Sequence, residues 1–208
     1  MFITFEGIDL SGKSTQIKLL EDYLMSNNRN VISVREPGGT AISEKIRSIL
    51  LDKDNLNMEY LTEFLLFSSS RHQLTTEVIV PHLKKNFFVL SDRYSDSSTA
   101  YQGYGGRIGT EVIDSINKIA AEGLIPDITF LINISIEECI RRKDLIKKTE
   151  DRIEQKEVSY FKKVIEGYLQ IAKNNKERFV VIDGTNSIPD IHKEIITKLK
   201  MKQTALSR

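Results

Sequence analysis

Two glycines bracket four residues, and a lysine and two hydroxyl residues follow at once in Gly7-Ile8-Asp9-Leu10-Ser11-Gly12-Lys13-Ser14-Thr15. This spacing suits phosphate chemistry. The glycines let the backbone turn its N–H groups inward onto an anion, Lys13 carries charge to the β- and γ-phosphates of ATP, and the Ser14 hydroxyl can serve Mg2+. Residues 7–15 are therefore the expected ATP loop. A second group, Ser91-Asp92-Arg93-Tyr94, places a carboxylate and a guanidinium side by side. Asp92 suits Mg2+ or its waters, and the planar fork of Arg93 suits an acceptor phosphate.

These groups work only if the chain brings them to one place. The phosphate loop needs a strand before it and a helix after it, because the helix N-terminus adds its positive end. Residues 2–5 form a short apolar run rich in strand formers, and Ile17, Leu20 and Leu24 then recur at helical spacing. Further strands are expected at 30–34, 87–90, 127–134 and 179–182, the fourth apolar enough to be buried on both faces. Helices are expected between them, including 58–85 with a bend at Pro81, 95–104, 110–122, 158–174 and 188–199. Ser135 and Glu138 have capping-box spacing before another. Strands alternating with helices predict an α/β fold, a five-stranded parallel sheet in a three-layer αβα sandwich. Arg93 would then sit at the carboxyl edge of the sheet, where such folds bind ligands. Residues 143–157 are too polar for a core and are expected to be exposed, and 201–208 to be a frayed tail.

Composition limits the partners. In 208 residues there are 30 Lys plus Arg against 29 Asp plus Glu, so no broad field attracts nucleic acid or an acidic membrane. One domain over 1–208 is expected from this length. Cys139 has no second cysteine to pair with, no apolar run reaches about 18 residues, and residues 1–6 are too short for a signal-peptide core. A cytoplasmic location and no membrane partner are expected. His72, His82 and His192 lack metal-ligand spacing.

A phosphate loop serves GTPases, motors and small kinases alike. There is no Asn-Lys-x-Asp guanine signature and no room for a motor's second domain, which leaves a small kinase in front. A phosphate monoester acceptor already carries a nucleophilic anion at neutral pH, because its second pKa is near 6. Such an acceptor needs cations and no general base, and Arg35, Arg47, Arg71 and Arg93 are at hand. A hydroxyl acceptor would instead need a base, for which Glu36 is the candidate. A non-catalytic ATP-binding module is a third reading, and Arg71 and Arg93 argue against it.

Several fragments around the loop resemble bacterial thymidylate kinases of the P-loop nucleoside monophosphate kinase family. They are Glu6-Gly7-Ile8-Asp9, Arg35-Glu36-Pro37-Gly38-Gly39-Thr40, Asp92-Arg93-Tyr94, Ser98 with Tyr101-Gln102-Gly103, Asp151-Arg152-Ile153-Glu154 and Asp183-Gly184-Thr185. The resemblance spans about residues 1–200. It implies transfer of the γ-phosphoryl group of MgATP to dTMP, in dTTP synthesis, by a homodimer. It also implies that Asp9 holds the deoxyribose 3′-hydroxyl, that Arg71 meets the thymine edge and that Phe67 stacks on its face. Without it, Phe67 reads as core at helical spacing. Glu36, Pro37, Arg47, Ser98, Tyr101, Gln102 and Glu154 complete the implied acceptor pocket, with Arg142 on adenine and Asp183 beside it. Residues 143–157 correspond to the family's lid. Where relatives carry a catalytic arginine in the loop or the lid, this chain has Leu10 in the loop. The basic lid residues are Lys143, Lys147 and Lys148, so the transition-state cation falls to Lys147 or Lys148, or to Arg152 if the lid folds differently.

Overall fold

The computed structural model describes residues 1–146 and 150–206. Its centre is β1 (Phe2–Glu6), buried at every position because strands pair with both its edges and helices cover both its faces. The sheet runs β2 (Val31–Arg35), β3 (Phe88–Asp92), β1, β4 (Ile128–Asn133), β5 (Phe179–Asp183), and every pairing is parallel. The apolar β4 lies inside the sheet, whereas the edge strands β2 and β5 alternate buried and more open positions.

Two helical layers cover the sheet. Ile3 and Phe5 of β1 face Leu20 of α1 (Lys13–Ser26) and Ile195 and Leu199 of α9 (Ile188–Leu206). On the other face, Phe2 packs with Leu74 of α3 (Tyr60–Leu74), and Leu131 of β4 with Val164 and Tyr168 of α8 (Val158–Asn174). The alternation of a strand thus sends Phe2, Thr4 and Glu6 toward α3 and α8. Strand order reverses at β1, so the crevice beyond its carboxyl end is the place where an open α/β sheet accepts a ligand.

The remaining helices are α2 (Ala41–Leu51), α4 (Val80–Lys84), α5 (Ser95–Ser98), α6 (Thr110–Ala120) and α7 (Ile136–Ile146). The expected 58–85 helix divides at a π-helical turn, Thr75–Ile79, where the Val80 N–H bonds the Thr75 carbonyl. The wider turn leads into α4 with Pro81 near its start, where the change in hydrogen-bond pattern accommodates a residue without an N–H. A second π-helical stretch, Thr99–Gly105, continues α5 and sets the side chains of Tyr101 and Gln102. Ser135 caps α7 by accepting the Glu138 N–H at 3.2 Å, but the Glu138 carboxylate turns to Arg141 and Arg142 and leaves the box half made.

Two expectations fail. Residues 201–206 are helical, because buried Ile195 and Leu199 anchor α9 and Lys202 donates to the Glu177 carbonyl at 2.9 Å. Residues 143–157 are not uniformly exposed: α7 runs to Ile146, and Arg152 and Ile153 are buried. Arg152 goes inside because it has an anion and a carbonyl to meet. Its guanidinium lies 2.7 Å from Glu63 of α3, and its Nε donates to the Leu50 carbonyl at 2.8 Å.

Candidate active site

The loop between β1 and α1 turns on Gly7, whose φ is +132°, and a Cβ there would stand 2.3 Å from the Ile132 carbonyl oxygen. Only glycine fits that approach. Gly12 has φ +106° and opens α1 at Lys13. The Lys13 ammonium reaches back to the carbonyls of Gly7 at 3.0 Å and Ile8 at 2.9 Å. Burial, and then the neighbouring Arg93 charge, lower its pKa to about 8. Arg93 follows β3 with φ 71°, and its Nη1 donates to the same Gly7 carbonyl at 2.8 Å. One backbone oxygen therefore gathers two cations from opposite ends of the motif set.

Ser14 Oγ donates to Asp92 Oδ2 at 2.8 Å, so the two oxygen groups read from the sequence as magnesium partners do meet. Among the described residues, no three His, Cys, Asp or Glu side chains gather as a protein-built metal cage. Hard oxygen donors in this number suit Mg2+, which keeps waters and binds through one or two carboxylates together with substrate phosphates.

A cavity of about 720 Å3 runs from this loop along the sheet edge, within the range of small-molecule sites. Asp9, Leu10, Ser11, Gly12, Lys13, Ser14 and Thr15 line one end, and Glu36, Pro37, Arg47, Phe67, Arg71, Ser98, Tyr101 and Gln102 line the other, with Asp92 and Arg93 between. Gly7 and Ile8 stand behind the lining. Arg93 is held from several sides: Nη2 donates to Asp9 Oδ1 at 2.9 Å and to Tyr101 Oη at 3.3 Å, and its plane lies over the Tyr101 ring. Arg47 donates to the Pro37 carbonyl at 2.8 Å.

Arg71, only 1% exposed, donates to Glu36, Asn117, the Tyr94 carbonyl and Ser98. Four acceptors fix its guanidinium as a rigid wall of the cavity. Glu36, the candidate base for a hydroxyl acceptor, is buried against Arg71 at 2.7 Å; burial pushes its carboxyl up while the guanidinium holds it down. Arg71 engages Oε2 alone, and Oε1 is buried without a hydrogen-bond partner among the described residues. Phe67 serves as both wall and core, lining the cavity while packing on the cluster beneath. Gln102 also turns inward, donating to Glu63 at 2.9 Å.

Beside the phosphate-loop residues, Arg142 is clamped between elements. Its Nη1 donates to the Leu10 carbonyl at 3.0 Å, Nη2 to the Gly184 carbonyl at 2.7 Å, and Nε to Glu138 at 2.6 Å. Gly184 lines the cavity, whereas the Asp183 carboxylate accepts from the backbone and hydroxyl of Thr185, which hold its pKa down. Glu154 lines a neighbouring cavity with Asp9, Leu10 and Cys139, and Lys143 pairs with Glu150 there. Lys147 and Lys148 lie outside the described residues.

Sequence reasoning missed the supports under these groups. Glu6, Ser97 and Tyr168 lie beneath Arg93, and Glu63 beneath Gln102 and Arg152. A carboxylate ending an otherwise apolar strand, as Glu6 does, was the one available signal.

Comparison with known proteins settles the family. The thymidylate kinase family model matches residues 5–195. This chain belongs to the thymidylate kinase family. A thymidylate kinase of a Sulfurihydrogenibium species is 49% identical over 201 residues, 97% of each chain. Another, from Thermosipho africanus, is 50% identical over 195 residues, 94% of this chain and 95% of that one. A crystal structure of thymidylate kinase from Ehrlichia chaffeensis superposes with a TM-score of 0.78 at 36% identity, covering 96% of this chain and 98% of that one. The thymidylate kinase likeness thus extends through the loop, the acceptor wall and the residues around Asp151, all inside the matched span.

Proposed function

We infer that this enzyme transfers the γ-phosphoryl group of ATP to dTMP, giving dTDP and ADP. The observation that carries the reading is the Gly7 carbonyl shared by Lys13 and Arg93, at 3.0 and 2.8 Å. It holds a donor-side and an acceptor-side cation together where two phosphate chains must meet. Repulsion between the anions is the main obstacle to in-line transfer, and preorganised cations offset it without reorganising during the reaction.

In this reading the backbone of residues 7–15 cradles the ATP phosphates and Lys13 spans the β- and γ-groups. Arg142 packs on the adenine, with residues 183–185 alongside. Arg93 holds the dTMP phosphate, whose oxygen attacks without a base. Asp9 orients the 3′-hydroxyl, and Tyr101 narrows the sugar site. Arg71 and Ser98 present donors to the base, Phe67 covers its face, and Glu36, Pro37, Arg47 and Gln102 complete the wall, with Glu154 at the lid side. Ser14 and Asp92 would hold Mg2+, directly or through water, and the ion supplies neutralisation of the phosphate oxygens. Lys147 or Lys148 supplies the remaining cation from the lid over 143–157.

The product is one phosphoryl transfer short of dTTP. The reading places the enzyme in the cytoplasm with ATP. No helix among the described residues is long and apolar enough to cross a membrane. A homodimer is part of the same reading. Exposed Ile42 and Ile49 on α2 and Leu61 and Leu65 on α3 form an apolar face that a second copy can cover.

ADP release with dTMP, dUMP, dCMP and thymidine offered in parallel tests the assignment. Activity confined to dTMP, with kcat/KM lowered about 100- to 1,000-fold in Arg93→Ala, is expected. Arg93→Lys should restore little of it, since an ammonium lacks the fork. Turnover of thymidine but not dTMP would overturn the assignment.

A further inference from the structure

The Arg93 backbone sits in the left-handed region, φ 71°, an uncommon setting for a side chain with a Cβ. Something must hold the residue there. Its N–H bonds the Phe5 carbonyl at 2.9 Å, and the next N–H, of Tyr94, donates to Glu6 Oε1 at 2.8 Å. Glu6 is fully buried at the end of β1. Its other oxygen accepts from Ser97 Oγ at 2.6 Å and from Tyr168 Oη at 2.9 Å. Those two hydroxyls, 2.8 Å apart, in turn accept from Arg93 Nη1 at 3.4 and 3.2 Å.

The guanidinium and the carboxylate are therefore linked through neutral hydroxyls. The distinction matters for an arginine that must grip phosphate. Asp9 already takes Nη2 at 2.9 Å, and a Glu6 carboxylate bonded directly to Nη1 would fill the rest of the fork and compete with the incoming anion. Interposed hydroxyls fix the plane of the guanidinium. We propose that Glu6, Ser97 and Tyr168 are positioning residues that set the reach of the Arg93 fork toward the acceptor phosphate. Tyr168 lies on α8, which follows the segment of Arg152, so the relay also fastens that helix to the phosphate loop.

The kinetic consequence rests on the reading of Arg93 as the acceptor-phosphate ligand, while the geometry does not. Two measurements on the full chain keep them apart. With 15N-arginine-labelled protein and no nucleotide, the Arg93 guanidinium N–H signals, assigned by their loss in Arg93→Lys, should show slow rotation in the wild type. They should average in Tyr168→Phe and in Ser97→Ala. In steady-state assays both variants should raise KM for dTMP about tenfold, with KM for ATP within about twofold. Tyr168→Phe added to Arg93→Ala should cost nothing further. Unchanged guanidinium rotation in both variants would overturn the relay. Averaged rotation with an unchanged dTMP KM would keep the relay and overturn the acceptor role of Arg93. Two variants are used because Tyr168 is buried and its change alone can lower stability.

Discussion

At the scale of single residues, the shared Gly7 carbonyl makes Lys13 and Arg93 electrostatic neighbours, and the pKa of Lys13, near 8, follows from its burial and that neighbour. Triphosphate favours the ammonium form, so binding must raise this pKa. At pH 8 the free enzyme is partly deprotonated at Lys13, and ATP binding should take up a fraction of a proton. Calorimetry in buffers of different ionisation enthalpy should show this uptake at pH 8, fading below pH 7 and absent in Lys13→Met. Glu6 supplies a second titration. Burial, then the nearby Asp96, raises its carboxyl to about 7, against the hydrogen bonds of Ser97 and Tyr168 and the charge of Arg93. Between about 4.5 and 7 the folded state thus binds more protons at Glu6 than the unfolded state does, and stability from this group falls as pH rises. Relative to wild type, Glu6→Gln should gain stability between pH 5 and pH 7.5 in urea unfolding. Lys13 with Ser14, and Asp92 with Arg93, were legible in the sequence because each pair sits in a short local motif whose chemistry constrains spacing. Tyr168 was not, because it meets Glu6 across 162 residues and nothing local marks it as a partner, while Glu6 was marked only by ending an apolar strand. Arg71 was legible as a cation, but three of its four protein acceptors, Asn117, Tyr94 and Ser98, depend on α5 and α6 folding over it, and Glu36 comes from the loop after β2.

At the scale of elements, the segment after α7 shows how a polar sequence can be buried. Arg152 and Lys156 both meet Glu63, at 2.7 and 3.1 Å, and Gln102 donates to the same carboxylate. Glu63 is the single anion of this group, so its removal strands two cations in a dry site. Glu63→Ala should therefore cost about 3–5 kcal/mol, read as a lower urea midpoint, whereas a surface change such as Lys18→Ala should cost under about 1 kcal/mol. Polarity alone predicted exposure here, and the error has a physical source: burial of Arg152 depends on an acceptor on α3, 89 residues earlier in the chain. The strands were legible because apolar runs bounded by Gly, Pro and Asp can hardly be anything else in a parallel sheet. Pro81 signalled a break in its helix, and the form of that break, a π-helical turn, depends on which carbonyl the Val80 N–H can reach.

At the scale of the whole molecule, the order β2-β3-β1-β4-β5 brings the loops after β1, β2, β3 and β5 to one edge. Alternation of strands and helices announced a parallel sheet, but not this order, which is set by pairing between strands far apart in sequence. The order is what places Lys13, Glu36, Arg93 and Gly184 around one cavity. With a net charge of +1, the molecule has little overall field to draw in nucleotides, and the attraction is concentrated at that edge. Direct passage of a phosphoryl group between two anions held by neighbouring cations is the central expectation for this edge. A single turnover with ATP labelled at the γ-phosphate, run with and without dTMP, tests it most directly. The label should appear in the β-position of dTDP, only when dTMP is present, with none retained on the protein. Label released as inorganic phosphate at the same rate with or without dTMP, or trapped on the protein, would contradict it.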